Sequence, residues 1–140
     1  MNKYELNKFA KALAKESLQK QGLRIEDTPF PTTKVDFYAY SSVGKLMKIK
    51  VRSISQIGSY VFSVKRYFDI EDSDLYMAVL YIPLMGEVIM YLVPAVEWGK
   101  GIYPFKGKDY GKVGQVSEPE WGISFSRKAK DAMESYRFSK

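Results

Sequence analysis

Residues 34–53, KVDFYAYSSVGKLMKIKVRS, place one carboxylate, Asp36, and three cations, Lys48, Lys50 and Arg52, on what reads as two strands joined by a short turn. Side chains alternate across a strand, so Lys34, Asp36 and Tyr38 fall on one side of the first strand and Val35, Phe37 and Ala39 on the other. In the second strand Lys48, Lys50 and Arg52 part in the same way from Met47, Ile49 and Val51. An aspartate facing cations at alternate positions suits two kinds of chemistry: holding an anion such as phosphate, or a surface ion pair worth under about 1 kcal/mol. Periodicity leaves both open, because it does not say whether that polar face is covered. Lys8, Lys11 and Lys15 recur at i, i+3 and i+7 and share one face of a helix, either a solvated flank or a basic stripe turned to phosphate.

The elements that must position these groups are legible as patterns. Residues 2–21 carry Leu6, Phe9, Ala10, Leu13, Ser17 and Leu18 at helical spacing, and Gly22 supplies a stop. Residues 23–26 form a first short strand, and Pro29 and Pro31 make the following segment irregular. Ser41 to Gly44 suits the tight turn between the two cationic strands. Residues 59–66 alternate as a further strand, and Asp69, Glu71, Asp72 and Asp74 form an exposed loop that lacks the glycine and glutamate of a calcium loop. Residues 75–83 and 87–94 are near-continuous apolar runs, expected at the centre of a sheet covered on both faces. A short helical turn at 94–98, a Gly-, Lys- and Tyr-rich surface connector at 99–114, a strand at 121–125 and a helix capped by Ser126, with Ala129, Met133 and Tyr136 inward, complete the chain. Strands in the middle with helices at both ends predict an α/β or α+β domain: a central mixed sheet flanked by an N-terminal and a C-terminal helix, one domain over residues 1–140.

Composition narrows the chemistry further. The 140 residues include no Cys and no His, which removes thiolate chemistry, disulfides, imidazole bases and imidazole-held metals together. Hydrophobic residues at 46% support a packed core. There is no apolar run of about 18 residues and no signal-peptide pattern in NKYELNKFAK, so a cytoplasmic protein with no membrane partner is expected. The net charge of +6 fits an acidic partner, and equally an ordinary basic protein.

Leu18-x(3)-Gly22 at the end of the opening helix, Val35-Asp36, the run Lys50-Val51-Arg52-Ser53, and then DLYMAVLYI and EVIMYLVPAVEW, resemble the PD-(D/E)XK nuclease superfamily. Within it the chain is similar to small prokaryotic domains of unknown function related to restriction endonucleases and Holliday-junction resolvases, from about residue 9 to residue 125. The resemblance implies a restriction endonuclease-like core. It also makes Asp36, Lys50 and Arg52 the positions equivalent to the catalytic motif. The family's Mg²⁺ chemistry needs a second acid two residues before a lysine, and those slots hold Lys50 and Arg52 here. A further glutamate slot on the opening helix holds Lys11, unless Glu16 or Glu5 replaces it in a shifted register.

Cations at three slots would repel Mg²⁺, and arginine, permanently charged, is a poor proton shuttle. The expectation is therefore a nucleic-acid-binding protein whose phosphodiester cleavage is lost, with no cofactor, Asp36 being a metal ligand only if the enzyme is active. Its contacts to a DNA or RNA backbone would come from Lys8, Lys11, Lys15, Lys48, Lys50 and Arg52. Two alternatives stand beside it. An active Mg²⁺-dependent nuclease would recruit Glu5, Glu16, Glu71 or Glu97; a protein-interaction module would use Tyr103, Phe105, Tyr110 and Trp121, which could also stack on bases. A homodimer through sheet edges or helices is a further implication of the resemblance.

Overall fold

Asn2 and Gly22 delimit the opening helix, α1 (Lys3–Lys20). The Asn2 side chain accepts from the Glu5 N–H while Glu5 reaches back to the Asn2 N–H, so two N-terminal donors are satisfied reciprocally. At the other end Gly22 adopts φ +88°, and the Gly22 and Leu23 N–H groups donate to Gln19 and Leu18 carbonyls, a Schellman closure that only a left-handed residue permits. Ala10, Ala14 and Leu18 form the fully buried stripe between these caps. The computed structural model describes residues 1–28, 34–109 and 117–138. Pro29, Pro31, Tyr110 and the end of the connector lie outside the described residues.

Among the described residues eight strands follow: β1 (Arg24–Asp27), β2 (Phe37–Tyr40), β3 (Leu46–Ile54), β4 (Tyr60–Val64), β5 (Leu75–Tyr81), β6 (Ile89–Pro94), β7 (Lys106–Lys108) and β8 (Glu120–Ser124). The fold is α+β. A mixed five-stranded sheet runs β1-β2-β3-β5-β6, with β3 and β5 parallel and the other pairs antiparallel, and a three-stranded sheet runs β4-β8-β7. The turn expected at Ser41 to Gly44 forms, with Gly44 at φ +81° donating to the Ser41 carbonyl. No helix among the described residues is long and apolar enough to cross a membrane.

Both faces of the large sheet are covered, by different partners. α1 lies on the face carrying Phe37, Ala39, Ile49, Val51, Ala78 and Leu80. The opposite face, with Met77, Val79, Tyr91 and Val93, packs on Val61 and Ile123 of the small sheet and on Ala129 and Met133 near the C-terminal helix α2 (Arg127–Ala132). Ser126 caps α2 as expected, accepting from the Ala129 N–H, but the helix ends at Ala132 and a 3₁₀ turn at Glu134–Tyr136 replaces its second half.

Three expectations are corrected. β5 is central, whereas β6 is the outermost strand of the large sheet. It is apolar because its outer edge is covered by the C-terminal segment, where Arg137 bridges Tyr91 and the Phe138 N–H donates to the Met90 carbonyl. The connector is not merely a surface loop: Phe105 is 5% exposed and packs against Trp98 and Tyr136, so β7 is drawn in as the third strand of the small sheet. The acidic loop is anchored rather than fully solvated, since Asp72 is half-buried and bonded to Lys48.

Leu18 carries the largest fully buried side chain that α1 contributes to this face. Leu18→Ala should cost about 2–5 kcal/mol in urea unfolding; an unchanged midpoint would mean that α1 is not docked on the sheet.

Candidate functional site

The register of β3 creates the site. Its first half pairs with β2 from Leu46↔Tyr40 to Ile49↔Phe37, and beyond Ile49 it has only β5 as a neighbour. Asp36 sits where the β2 ladder stops: its N–H donates to the Ile49 carbonyl, and its carboxylate accepts from the Val51 N–H at 2.7 Å. A side-chain oxygen thus takes the place of the next ladder carbonyl. The other carboxylate oxygen lies 3.3 Å from the Lys11 ammonium, so Asp36 ties β2, β3 and α1 together at one point.

Parallel pairing puts Lys48, Lys50 and Arg52 opposite Leu75, Met77 and Val79, on the inward face toward the small sheet rather than on a wet surface. Lys50 is only 2% exposed. Its ammonium donates to the Tyr67 carbonyl at 3.2 Å, in a 3₁₀ turn at Lys65–Tyr67. Burial, then the neighbouring Arg52 charge, bring its pKa down to about 8, with Asp36 pulling the other way. Arg52 donates to the Phe62 carbonyl at 2.8 Å and to the Val51 carbonyl at 2.9 Å; burial lowers its pKa and Asp36 opposes the shift. Neither Lys50 nor Arg52 is the exposed partner of a simple surface ion pair.

Two clefts meet at Asn7 and Arg52. One, of about 620 Å³, lies under α1 and is lined by Tyr4, Asn7, Lys8, Lys11, Ala12, Lys15, Asp36, Val51 and Arg52. The other, of about 420 Å³, lies between β3 and β4 and is lined by Lys3, Asn7, Lys50, Arg52, Ser53, the five residues of β4 and Tyr67. Together they gather six cations, Lys3, Lys8, Lys11, Lys15, Lys50 and Arg52, around one carboxylate, Asp36. The Ser53 hydroxyl donates to the Asn7 side-chain oxygen at 2.6 Å and fixes α1 across the junction.

No family model, no curated protein and no solved structure matches this chain. The chemistry of the clefts therefore rests on their own side chains. A lone carboxylate already holding an N–H and an ammonium, among five further cations, does not fit Mg²⁺, which is bound through carboxylates and substrate oxygens. The same set fits a multiply charged oxyanion, with guanidinium and ammonium donors converging from a helix and a strand.

Six of the seven residues singled out in the sequence come together here: Asp36, Lys8, Lys11, Lys15, Lys50 and Arg52. Lys48 does not, because its side chain turns to the acidic loop and pairs with Asp72 at 2.8 Å. Burial pushes Asp72 up, but the Lys48 hydrogen bond and the Asp74 N–H outweigh it and hold the carboxyl below its ordinary value. Lys15 is shared, pairing with Asp27 at 2.5 Å while it lines the larger cleft. Among the described residues neither cleft is lined by a glutamate: Glu5 is engaged in the α1 cap, Glu16 pairs with Lys20, Glu97 binds Lys100 and Tyr136, and Glu71 is exposed in the acidic loop. Lys3, Asn7, Tyr60, Phe62 and Tyr67 were not foreseen. Lys3, Asn7 and Lys11 lie four residues apart, and extending the basic stripe backward by two turns would have found the first two.

The buried ammonium has a stability signature. Folding holds the Lys50 pKa near 8, below the value of 10.5 ordinary for lysine, so between these values the unfolded chain binds more protons and stability rises with pH. Tyr91 and Tyr136, both raised to about 12, reverse the trend above about pH 10. Lys50→Met should therefore stabilise the protein by roughly 2–3 kcal/mol at pH 7 and flatten the rise in denaturation midpoint between pH 8 and 10. A destabilised variant that keeps the wild-type pH profile would contradict the assignment.

Proposed function

We propose that this protein binds the phosphate backbone of nucleic acid through the two clefts, on a restriction endonuclease-like scaffold whose cutting chemistry has been given up. The observation that carries the reading is the convergence of six cations on one carboxylate at the open half of β3. Arg52 and Lys11 supply direct phosphate donors, Lys3, Lys8 and Lys15 extend the field along α1, and Lys50 adds charge from the wall of the smaller cleft. Asp36 holds Val51 and Lys11 in place when no anion is bound. Backbone contacts of this kind set register and affinity without reading sequence. In this reading the protein acts in the cytoplasm, and no Mg²⁺ is required.

A second reading, binding to another protein, has a separate observation behind it. The turn between β5 and β6 carries Leu84 and Met85, 99% and 87% exposed. The aromatic candidates favour it less: Phe105 is buried, Trp121 is half-buried, and among the described ones Tyr103 alone is exposed.

Fluorescence anisotropy with labelled duplex and single-stranded DNA and RNA, over a salt series with and without Mg²⁺, separates these readings. Wild type should bind with steep salt dependence and leave the probes intact. The Lys11→Ala/Arg52→Ala double variant should lose about tenfold or more in affinity and reduce the salt slope by about two. Asp36→Asn, which keeps an oxygen for the Val51 N–H and removes the one negative charge, should bind as tightly or tighter. Loss of a cleavage activity in Asp36→Asn would instead mark an active nuclease, and absence of wild-type binding at low salt would overturn the reading in favour of a protein partner.

A further inference from the structure

The small sheet carries on its outward side two aromatic rings whose faces a phosphate contact alone does not use. Tyr60 and Phe62, at alternate positions of β4, project from the same side of the strand, with ring centroids 5.3 Å apart and planes within 13° of parallel. Phe62 is the outer ring, 38% exposed. Gly122 on β8 keeps the floor clear: a Cβ there would come within 2.5 Å of the Tyr60 hydroxyl and 2.6 Å of its ring. From β7 the Lys108 and Lys106 ammonium groups stand 4.1 Å and 5.6 Å from the Tyr60 ring centroid. The Phe62 backbone carbonyl is the group that Arg52 holds at 2.8 Å, so the exposed ring and the cationic cleft share a residue.

We propose that this face is a stacking platform for an unpaired nucleobase, with Phe62 as the ring that receives it and the adjoining phosphate directed to Arg52. The inference deepens the nucleic-acid reading and rests on it. Three features point to this occupant. The Tyr60–Phe62 pair is already parallel, so a planar ring laid on Phe62 continues an existing stack. The surroundings are cationic, with Lys106 and Lys108 on one side and Arg52 on the other, which complements a nucleotide and opposes a cationic or neutral peptide. A base within a duplex has both faces covered by its neighbours, so the platform selects single-stranded or extruded nucleotides. Ribose and deoxyribose strands offer the same stacking face.

The test is anisotropy of the full chain with short labelled single strands of DNA and of RNA and with the matching duplex. Wild type should bind at least one single strand more tightly than the duplex. Phe62→Ala should weaken single-strand binding about tenfold, lower the ratio of single-strand to duplex affinity by a similar factor, and be rescued by Phe62→Trp. The thermal midpoint of each variant, compared with wild type, confirms that the domain is intact, and Phe62→Leu, which keeps apolar bulk without a π-face, should behave as Phe62→Ala. Wild-type-like single-strand affinity in Phe62→Ala and Phe62→Leu would overturn the platform and leave the backbone reading standing. Failure of wild type to bind any strand or duplex would overturn both.

Discussion

β3 carries Lys50 and Arg52 on a face that the small sheet must cover, and apolar packing cannot seal a face that presents permanent charge. The rest of the architecture accommodates this. Further along the same face Ile54 joins Val61 and Ile123 in an ordinary core, while at Lys50 and Arg52 the covering strand β4 and the 3₁₀ turn after it contribute backbone carbonyls and leave a cleft. The Tyr67 and Phe62 carbonyls satisfy the buried donors, which is the condition for tolerating charge at that depth. Burial lowers the Lys50 pKa, a cost in stability that the proposed binding role would account for.

Asp36 is the second constraint. Its carboxylate takes the N–H of Val51 that the shortened β2 leaves open, and the same group anchors Lys11. A carboxylate committed to two donors and ringed by cations suits an anion site held ready, with its donors pre-positioned. One carboxylate thereby serves the fold and sets the electrostatics of the cleft. Lys50 and Arg52, where an acid and a lysine would suit a metal, make the arrangement compatible with an oxyanion instead.

Much of this was legible in the residues. Period-2 alternation separates Ile49 and Val51 from Lys50 and Arg52, and Gly22 marks the end of α1, because a helix stop is a local interaction. What the sequence could not show was cover. The inward placement of Lys50 depends on β4 and the 3₁₀ turn after it folding back over β3, with β8 brought beside β4 from far along the chain, and alternation is silent about what lies over a face. Lys48 was grouped with Lys50 by the same alternation, yet a loop carboxylate 24 residues away claims it. The connector looked like a loop because Gly and Lys dominate it; Phe105 packing on Trp98 is the tertiary contact that makes β7 a strand. Tyr60 and Phe62 were read only as strand formers, since their stacking matters only once Gly122 is known to lie beneath them.

In the proposed function, nucleic acid is held at the junction of the α1 and β4 clefts. Amide chemical-shift mapping during titration with a short oligonucleotide tests it most directly, because it locates the bound strand without altering any residue. Perturbations should concentrate on the Lys3-to-Lys15 face of α1, on residues 50–53 and along β4, with α2 and the β5–β6 turn unmoved. Shifts centred on Leu84 and Met85 or on α2, or none at all at saturating oligonucleotide, would contradict it.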